Sequence, residues 1–189
     1  MEQLPHRQEL PEVGTPCALV LGEDGTVAVA WADGVCAVPP LERGGRLEAL
    51  LGPETPKTCH DLKTCLHHLE ALGLPREGFQ FDTALAAYDL NPSQGDYRLS
   101  QVAMAYLGRT PEGLEDRAAA VWQLRACLEP KLAEQGMESL YREIELPLCT
   151  TLYGMEREGV AVDRNTLEGF GQMLTGRIAA CEQSIFEDA

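Results

Sequence analysis

Residues 17–38, which read CALVLGEDGTVAVAWADGVCAV, decide the fold. They hold three short apolar runs, and an Asp-Gly pair separates each run from the next. Asp-Gly favours the tight turns that join hairpin strands, and short apolar runs between turns are typical of buried strands. The stretch therefore predicts three strands in antiparallel order, over residues 17–22, 26–31 and 35–38.

The hydrophobic periodicity changes after Pro39 and Pro40, which end the third run. From residue 61 to residue 72, leucine and cysteine recur at spacings of three and four before Gly73, as in an amphipathic helix that ends at a glycine. Asp82 precedes another helical run and can cap it. Short strands mixed with helices predict an α/β fold with a mixed sheet. The predicted helices are 46–51, 61–72, 83–90, 97–107 and 113–133, and the further strands are 56–59 and 78–81.

Three segments are predicted from composition and spacing. The polar, proline-containing residues 1–16 form a lead-in, and Gln135-Gly136 separates a domain over 17–135 from a second segment over 136–189. In that second segment, Asp163 can cap a last helix that is still amphipathic at the end of the chain. An apolar stripe without an evident partner leads us to expect a piece of a longer protein. The stripe before this helix consists of Leu140, Ile144, Leu148 and Leu152.

Composition excludes several classes of protein. The chain has 189 residues with 15 basic and 30 acidic side chains, a net charge of −15, which argues against a free-standing nucleic-acid binder. Aromatic residues make up 6%, too few for a base-stacking platform. No apolar run approaches the ~20 residues of a membrane span, and the N-terminal sequence does not resemble a signal peptide. We expect a cytoplasmic protein that does not contact a membrane and whose seven cysteines are reduced.

Two stretches resemble the family A DNA polymerases of bacteria. Residues 81–92, FDTALAAYDLNP, are similar to the segment that follows the second exonuclease motif, and residues 144–163, IELPLCTTLYGMEREGVAVD, to the segment that opens the polymerase domain. The resemblance implies a ribonuclease-H-like 3'-5' exonuclease-like fold in 17–135 and two helices of the polymerase domain in 136–189. For the parent protein it implies template-directed DNA synthesis in replication and repair, with Mg²⁺ bound outside this chain. The implied partners are the remainder of the polymerase domain and, only through the full-length protein, DNA.

The proofreading chemistry of this family places four carboxylates around two divalent ions. Its first motif, Asp-x-Glu, falls on Val20 and Gly22, or, shifted by two residues, on Gly22 and Asp24. Neither alignment supplies the pair of acids. The second motif, Asn-x-x-x-Asp, falls on Lys57 and Asp61, so its aspartate is present and its asparagine is replaced.

The third motif of the family, Tyr-x-x-x-Asp, falls on Glu115 and Ala119. Asp61 is then the one acid of the four that remains. A pair of hard cations needs several carboxylates together with substrate oxygens, so we expect a catalytically inactive domain in which Asp61 is a vestigial metal position. We predict no catalytic, metal-binding or cofactor-binding residue in this chain.

Asp61 has a structural explanation as well, because Thr58-x-x-Asp61 before an apolar helical run is a capping-box pattern. Two groups of residues suggest alternatives to an inactive domain. A working nuclease could use displaced ligands, and a zinc ion could bind between residues 59 and 68, although the spacing there is unlike that of structural zinc sites. A third alternative is an acidic interaction module unrelated to DNA. The displaced nuclease ligands would be Glu23, Asp24, Asp61 and Asp116, and the zinc ligands would come from Cys59, His60, Cys65, His67 and His68.

Overall fold

A computed structural model describes residues 4–42 and 44–187 of the chain. Its strands are β1 (Cys17–Leu21), β2 (Val27–Trp31), β3 (Gly34–Val38), β4 (Lys57–Cys59) and β5 (Phe79–Asp82). They form one five-stranded sheet with the order β3-β2-β1-β4-β5. The β1–β2 and β2–β3 pairs are antiparallel, whereas β4 is parallel to both of its neighbours. The predicted α/β class with a mixed sheet is confirmed.

The first turn forms as its residues predict. The Asp24 carboxylate accepts the backbone N–H of Thr26 at 2.9 Å and the Thr26 hydroxyl at 2.8 Å. Gly25 follows with a φ of 83°, a conformation that residues with a Cβ rarely adopt. The turn sets the β1–β2 register, in which Leu21 lies opposite Val27.

Seven α-helices and a π-helical turn are present in the described part of the chain. The predicted helices are confirmed in position, with ends that differ by one or two residues. The π-helical turn, Leu140–Glu145, was not predicted. The helices are α1 (Gly45–Leu51), α2 (Leu62–Ala71), α3 (Thr83–Leu90), α4 (Leu99–Leu107), α5 (Gly113–Glu134), α6 (Leu146–Glu158) and α7 (Arg164–Glu187).

The sheet separates two hydrophobic cores, because successive side chains of a strand point to opposite faces. On one face, Ala18 and Val20 pack with residues of α3, α4 and α5. On the other face, Cys17 and Leu19 pack with residues of α1 and α2. The predicted apolar stripe of α5 is buried in the first core through Ala118, Val121, Leu124, Leu128 and Leu132.

The predicted lead-in is partly incorporated into the sheet. His6 forms a parallel bridge with Val35. The N–H of Arg7 donates to the carbonyl of Val35 at 2.8 Å, and the N–H of Val35 donates to the carbonyl of Pro5 at 3.0 Å. β3 lies at the edge of the sheet, where its backbone groups are open to pairing, and residues 5–7 occupy them.

The chain divides into two compact units, residues 1–155 and residues 156–189. The predicted boundary at residue 136 separates two parts that resemble different domains of the family, and it stays a prediction. In terms of packing, the residues from 137 to 155 belong to the same unit as the sheet.

The second unit consists largely of α7. Its start is capped as predicted, since the Asp163 carboxylate accepts the N–H of Asn165 at 3.0 Å and the hydroxyl of Thr166 at 2.6 Å. The apolar stripe of this helix is exposed, with Leu167, Phe170, Leu174 and Ile178 among its members.

Candidate functional site

A cleft opens at the start of α2, between the end of β1, the start of α4 and the first turn of α5. It consists of two adjoining cavities of about 550 Å³ and about 110 Å³ that share His60, Thr64, Leu99 and Arg117. Asp61 lines the larger cavity. This cleft therefore contains Asp61, the residue for which the resemblance implies a vestigial metal position.

Asp61 is engaged at the N-terminus of α2. Its carboxylate accepts the N–H of Thr64 at 3.2 Å and the Thr64 hydroxyl at 2.7 Å. The predicted capping role of Asp61 is confirmed. The predicted contribution of Thr58 is wrong, because Thr58 is buried in β4 and its hydroxyl accepts a hydrogen bond from Arg125 at 3.1 Å. A backbone φ of 62° at Asp61 turns the chain from β4 into the helix.

The end of β1 supplies no carboxylate to the cleft. Val20, the first of the two residues aligned with the missing acid pair, lines the smaller cavity with an apolar side chain. Gly22, the second, is hemmed in, because a Cβ there would lie 2.7 Å from Asp24 Oδ1 and 3.3 Å from Leu114 Cδ2. A larger side chain at position 22 would require the Asp24 carboxylate to move from its present position.

Lys57, which aligns with the asparagine of the second motif, does not line the cleft around Asp61. Its ammonium group donates to the carbonyls of Gly52 at 2.7 Å and Thr55 at 2.9 Å, in the loop that precedes β4. The side chain is fully buried, and burial lowers the pKa of this amine. Lys57 thus satisfies loop carbonyls inside the molecule and takes no part in the cleft.

Arg117 is the residue of α5 that lines the cleft. Ala119, the residue aligned with the third acid, lines a different depression together with Leu4 and Val35. Within the described residues, neither a hydrogen bond nor an ion pair engages the Arg117 guanidinium. A cationic side chain thus lines the same cavity as Asp61, and the alignment of motifs missed it.

Of the other nuclease ligands in that alternative, Asp116 and Asp24 are engaged elsewhere, and Glu23 does not line the cleft around Asp61. Asp116 accepts hydrogen bonds from the Arg109 guanidinium at 2.6 Å and from the N–H of Glu112 at 2.8 Å. Asp24 holds the first turn of the sheet. Neither residue lines the cleft around Asp61. Residues 4–42 and 44–187 contain no group of three or more His, Cys, Asp or Glu side chains that could hold a metal ion.

The residues of the zinc alternative do not form a group that could hold a metal ion within residues 4–42 and 44–187. His60 Nδ1 pairs with the Thr83 hydroxyl at 2.8 Å, and burial lowers the pKa of this imidazole. His67 packs edge-on against the Tyr153 ring with 4.8 Å between the ring centroids. Burial also raises the pKa of the Cys59 thiol well above its ordinary value, which disfavours the thiolate that zinc requires.

A buried carboxylate outside the three exonuclease motifs joins the starts of two helices at the cleft. Asp82 is 3% exposed and caps α3, as predicted, through the N–H of Ala84 at 2.9 Å. The same carboxylate accepts the N–H groups of Asp61 and Leu62 at 2.9 and 2.8 Å, at the start of α2. Burial raises the pKa of this carboxyl, and the backbone donors oppose that effect. One side chain therefore fixes the starts of two helices.

Tyr141, in the π-helical turn, links this hydrogen-bond network to the segment after residue 136. Its ring is 1% exposed and packs on Phe81 at 5.0 Å between centroids. Its hydroxyl accepts the N–H of Asp82 at 2.6 Å and lies 3.1 Å from the Asp82 carbonyl, to which it donates. We call this pair of hydrogen bonds the Tyr141 clasp. It attaches the segment after residue 136 to the sheet.

Comparison with known proteins confirms the resemblance to bacterial DNA polymerases. DNA polymerase I of Mycobacterium tuberculosis (strain ATCC 25618 / H37Rv) is 34% identical over 187 residues, which cover 83% of this chain and 20% of the relative. DNA polymerase I of Geobacillus stearothermophilus is 34% identical over 162 residues, which cover 74% of this chain and 18% of the relative. The chain is related to bacterial DNA polymerase I, a family A DNA polymerase. No family model matches the sequence.

The chain spans about a fifth of the length of these polymerases. Among solved structures, the POL domain of Pol1 from M. smegmatis, in complex with DNA primer-template and dNTP, is 31% identical with a TM-score of 0.73. That match covers 89% of this chain and 32% of the other. NrnC of Brucella melitensis, at 16% identity, has a TM-score of 0.65 over 83% of this chain and 94% of its own length. The second likeness concerns the fold alone.

Within residues 4–42 and 44–187, none of the helices is both long and apolar enough to cross a bilayer.

Proposed function

We propose that this chain is a segment of a bacterial DNA polymerase I whose exonuclease-like domain has lost nuclease activity and serves as a platform for the polymerase domain. The relationship to DNA polymerase I supports the parent activity, template-directed DNA synthesis in replication and repair. In this proposal the parent is cytoplasmic, its Mg²⁺ binds outside this chain, and DNA is contacted through the full-length protein. The ribonuclease-H-like fold of residues 17–135 belongs to the same proposal and is supported by the likeness to NrnC.

Loss of nuclease activity is supported by the composition of the cleft. Two-metal phosphodiester cleavage requires ions about 3.5–4 Å apart that are bridged by several carboxylates. Asp61 is the single carboxylate that lines either cavity, and both of its oxygens accept hydrogen bonds from Thr64. Arg117 adds a positive charge, which repels a second cation at this spot.

The observation that carries the platform role is the Tyr141 clasp. The second predicted segment, which begins at residue 136, is attached to the sheet through the buried ring and the hydroxyl of Tyr141, three residues before the stretch 144–163. A second attachment lies nearby, where Arg142 pairs with Glu129 of α5. A third holds α6, since the Tyr153 hydroxyl accepts a hydrogen bond from Arg76 at 2.6 Å. Three polar contacts of this kind fix the segment in place on the exonuclease-like domain.

Cleavage of DNA provides the first test. The chain is incubated with 3'-labelled single-stranded DNA and Mg²⁺ or Mn²⁺, beside an active proofreading exonuclease of the same family as a positive control. We expect no shortening of the DNA by the chain. Shortening that EDTA abolishes, and that Asp61→Ala reduces, would instead favour the nuclease with displaced ligands.

The platform role is tested by hydrogen exchange on the intact chain with Tyr141→Phe and, as the control, Tyr88→Phe, whose ring is 45% exposed. We expect Tyr141→Phe to speed the exchange of the amides from 140 to 155 and the control to leave it unchanged. Equal exchange in both variants would contradict the platform role. It would also favour an acidic module whose segments pack independently.

A further inference from the structure

Two of the seven cysteines lie side by side beneath the start of α2. Cys59 is the last residue of β4 and is 1% exposed, and Cys65, the fourth residue of α2, is 7% exposed. Both belong to the core that α1 and α2 form with the sheet. Burial and, after it, a hydrogen bond with the Cys65 side chain raise the pKa of the Cys59 thiol well above its ordinary value. The two free thiols are therefore neighbours.

The other two buried cysteines are not placed to form a disulfide with each other. Cys17 lies on β1 and Cys36 on β3, and β2 separates these strands in the sheet. Two strand spacings put them at least about 9.5 Å apart, whereas the Cα atoms of a disulfide lie within about 7 Å of each other. A bond between Cys59 and Cys65 needs no such movement of a strand, because a single turn of the chain joins them.

An entry path leads to one of the two neighbouring thiols. Cys65 lines the smaller cavity of the cleft, of about 110 Å³, and Cys59 does not line it. A hydrogen peroxide molecule fits in that volume, because a water molecule takes about 30 Å³. Cys65 is therefore the thiol that a small oxidant reaches first. This step needs only the entry of the oxidant and no bound ligand.

We propose that Cys59 and Cys65 are a redox pair that hydrogen peroxide converts reversibly into a disulfide. The Cys65 sulfur attacks one peroxide oxygen, the O–O bond breaks, and Cys65 becomes a sulfenic acid as a first water leaves. The Cys59 sulfur then attacks the sulfenic sulfur and the S–S bond forms. The sulfenic hydroxyl leaves as a second water with the proton of the Cys59 thiol. The two thiols thus lose the two electrons that reduce the peroxide.

Oxidation would act where β4 passes into α2. The loop that the disulfide closes contains Asp61 and Leu62, whose N–H groups donate to the Asp82 carboxylate. Disulfides in cytosolic proteins are usually transient and redox-sensing, and a dithiol returns such a pair to its reduced state by exchange. This inference goes beyond the platform role and holds whether or not the domain cleaves DNA.

The test is peptide mapping of the folded chain after treatment with hydrogen peroxide in the presence of EDTA. The free thiols are then alkylated in denaturant, and the chain is digested with trypsin. Because trypsin cleaves after Lys63, the two cysteines fall in separate peptides, 58–63 and 64–76. We expect these peptides to be joined, at a mass two hydrogen atoms below their sum, and to separate with dithiothreitol. Peptides that stay separate at a dose that oxidises the exposed Cys181 would overturn the proposal.

Two substitutions test the order of the steps, and a third is the matched control. In Cys59→Ala, dimedone should trap Cys65 as a sulfenic acid, whereas in Cys65→Ala it should leave Cys59 unmodified. Cys127→Ala should form the disulfide as the unsubstituted chain does. The unfolding temperature shows which variants are folded, and the cross-link in the unsubstituted chain decides the proposal without them. Trapping of Cys59 in Cys65→Ala, with none of Cys65 in Cys59→Ala, would contradict the proposed entry path.

Discussion

Asp89 provides the sharpest prediction on stability. It is the penultimate residue of α3 and 6% exposed, and its buried Oδ2 has no hydrogen-bond partner within residues 4–42 and 44–187. Burial and, after it, the negative charge of Glu145 raise the pKa of this carboxyl from 3.8 to about 6. The C-terminal end of a helix also disfavours a negative charge. Ionised Asp89 therefore destabilises the folded chain.

The direction and size of the effect of Asp89 on stability follow from the difference between its pKa values in the folded and unfolded states. The pKa in the folded state exceeds that in the unfolded state, so the folded chain binds the proton more tightly. The contribution of Asp89 to stability is least favourable above about pH 6 and improves as the pH falls through 6 towards 4. A shift of about two pH units corresponds to at most about 3 kcal/mol, at 1.36 kcal/mol per unit. Access of water to part of the carboxyl reduces this value, so we expect about 1 to 3 kcal/mol.

The assay is urea unfolding, followed by circular dichroism, between pH 4 and pH 8. It compares the unsubstituted chain, called the parent chain here, with Asp89→Asn and with the exposed control Asp33→Asn. We expect Asp89→Asn to be the more stable by about 1 to 3 kcal/mol at pH 8 and to lose that advantage near pH 4. Asp33→Asn should match the parent chain throughout. An Asp89→Asn variant that is less stable than the parent chain by the same amount at every pH would refute the reasoning.

Three further substitutions have defined outcomes. Asp61→Ala removes the cap of α2 and should cost about 1 kcal/mol of unfolding free energy by urea titration; a loss of metal-dependent DNA cleavage instead would contradict the capping role. Tyr141→Phe leaves the N–H of Asp82 without its partner and should cost about 1 to 3 kcal/mol in the same titration; an unchanged midpoint would count against the clasp. Lys57→Met should destabilise the chain by a similar amount, because a buried carbonyl at Thr55 and a part-buried carbonyl at Gly52 lose their donor; a stabilised variant would show that those carbonyls find other partners.

The first three strands could be predicted from local sequence. Asp-Gly turns fix where β1, β2 and β3 begin and end, and their short apolar runs admit few other conformations. The buried stripe of α5 could also be predicted, because the helical spacing of apolar residues indicates which side chains face a core. Both features depend on residues that are close together in the chain.

The features that sequence could not supply arise from contacts between distant residues. The cap of α3 by Asp82 was predicted, but its hydrogen bonds to the start of α2, about 20 residues away, were not. Arg117 was missed because periodicity separates buried from exposed positions and does not say which exposed position opens onto a cleft. The pairing of His6 with Val35 was missed for a similar reason, since it depends on an edge strand that is open.

Manganese binding in the crystal tests the account most directly. Crystals of the chain soaked with Mn²⁺ and a nucleotide, and measured at the manganese absorption edge, would reveal each ion in the cleft by its anomalous scattering. The account predicts no pair of ions between Asp61, Val20 and Arg117. Two manganese peaks about 4 Å apart beside Asp61 would contradict it.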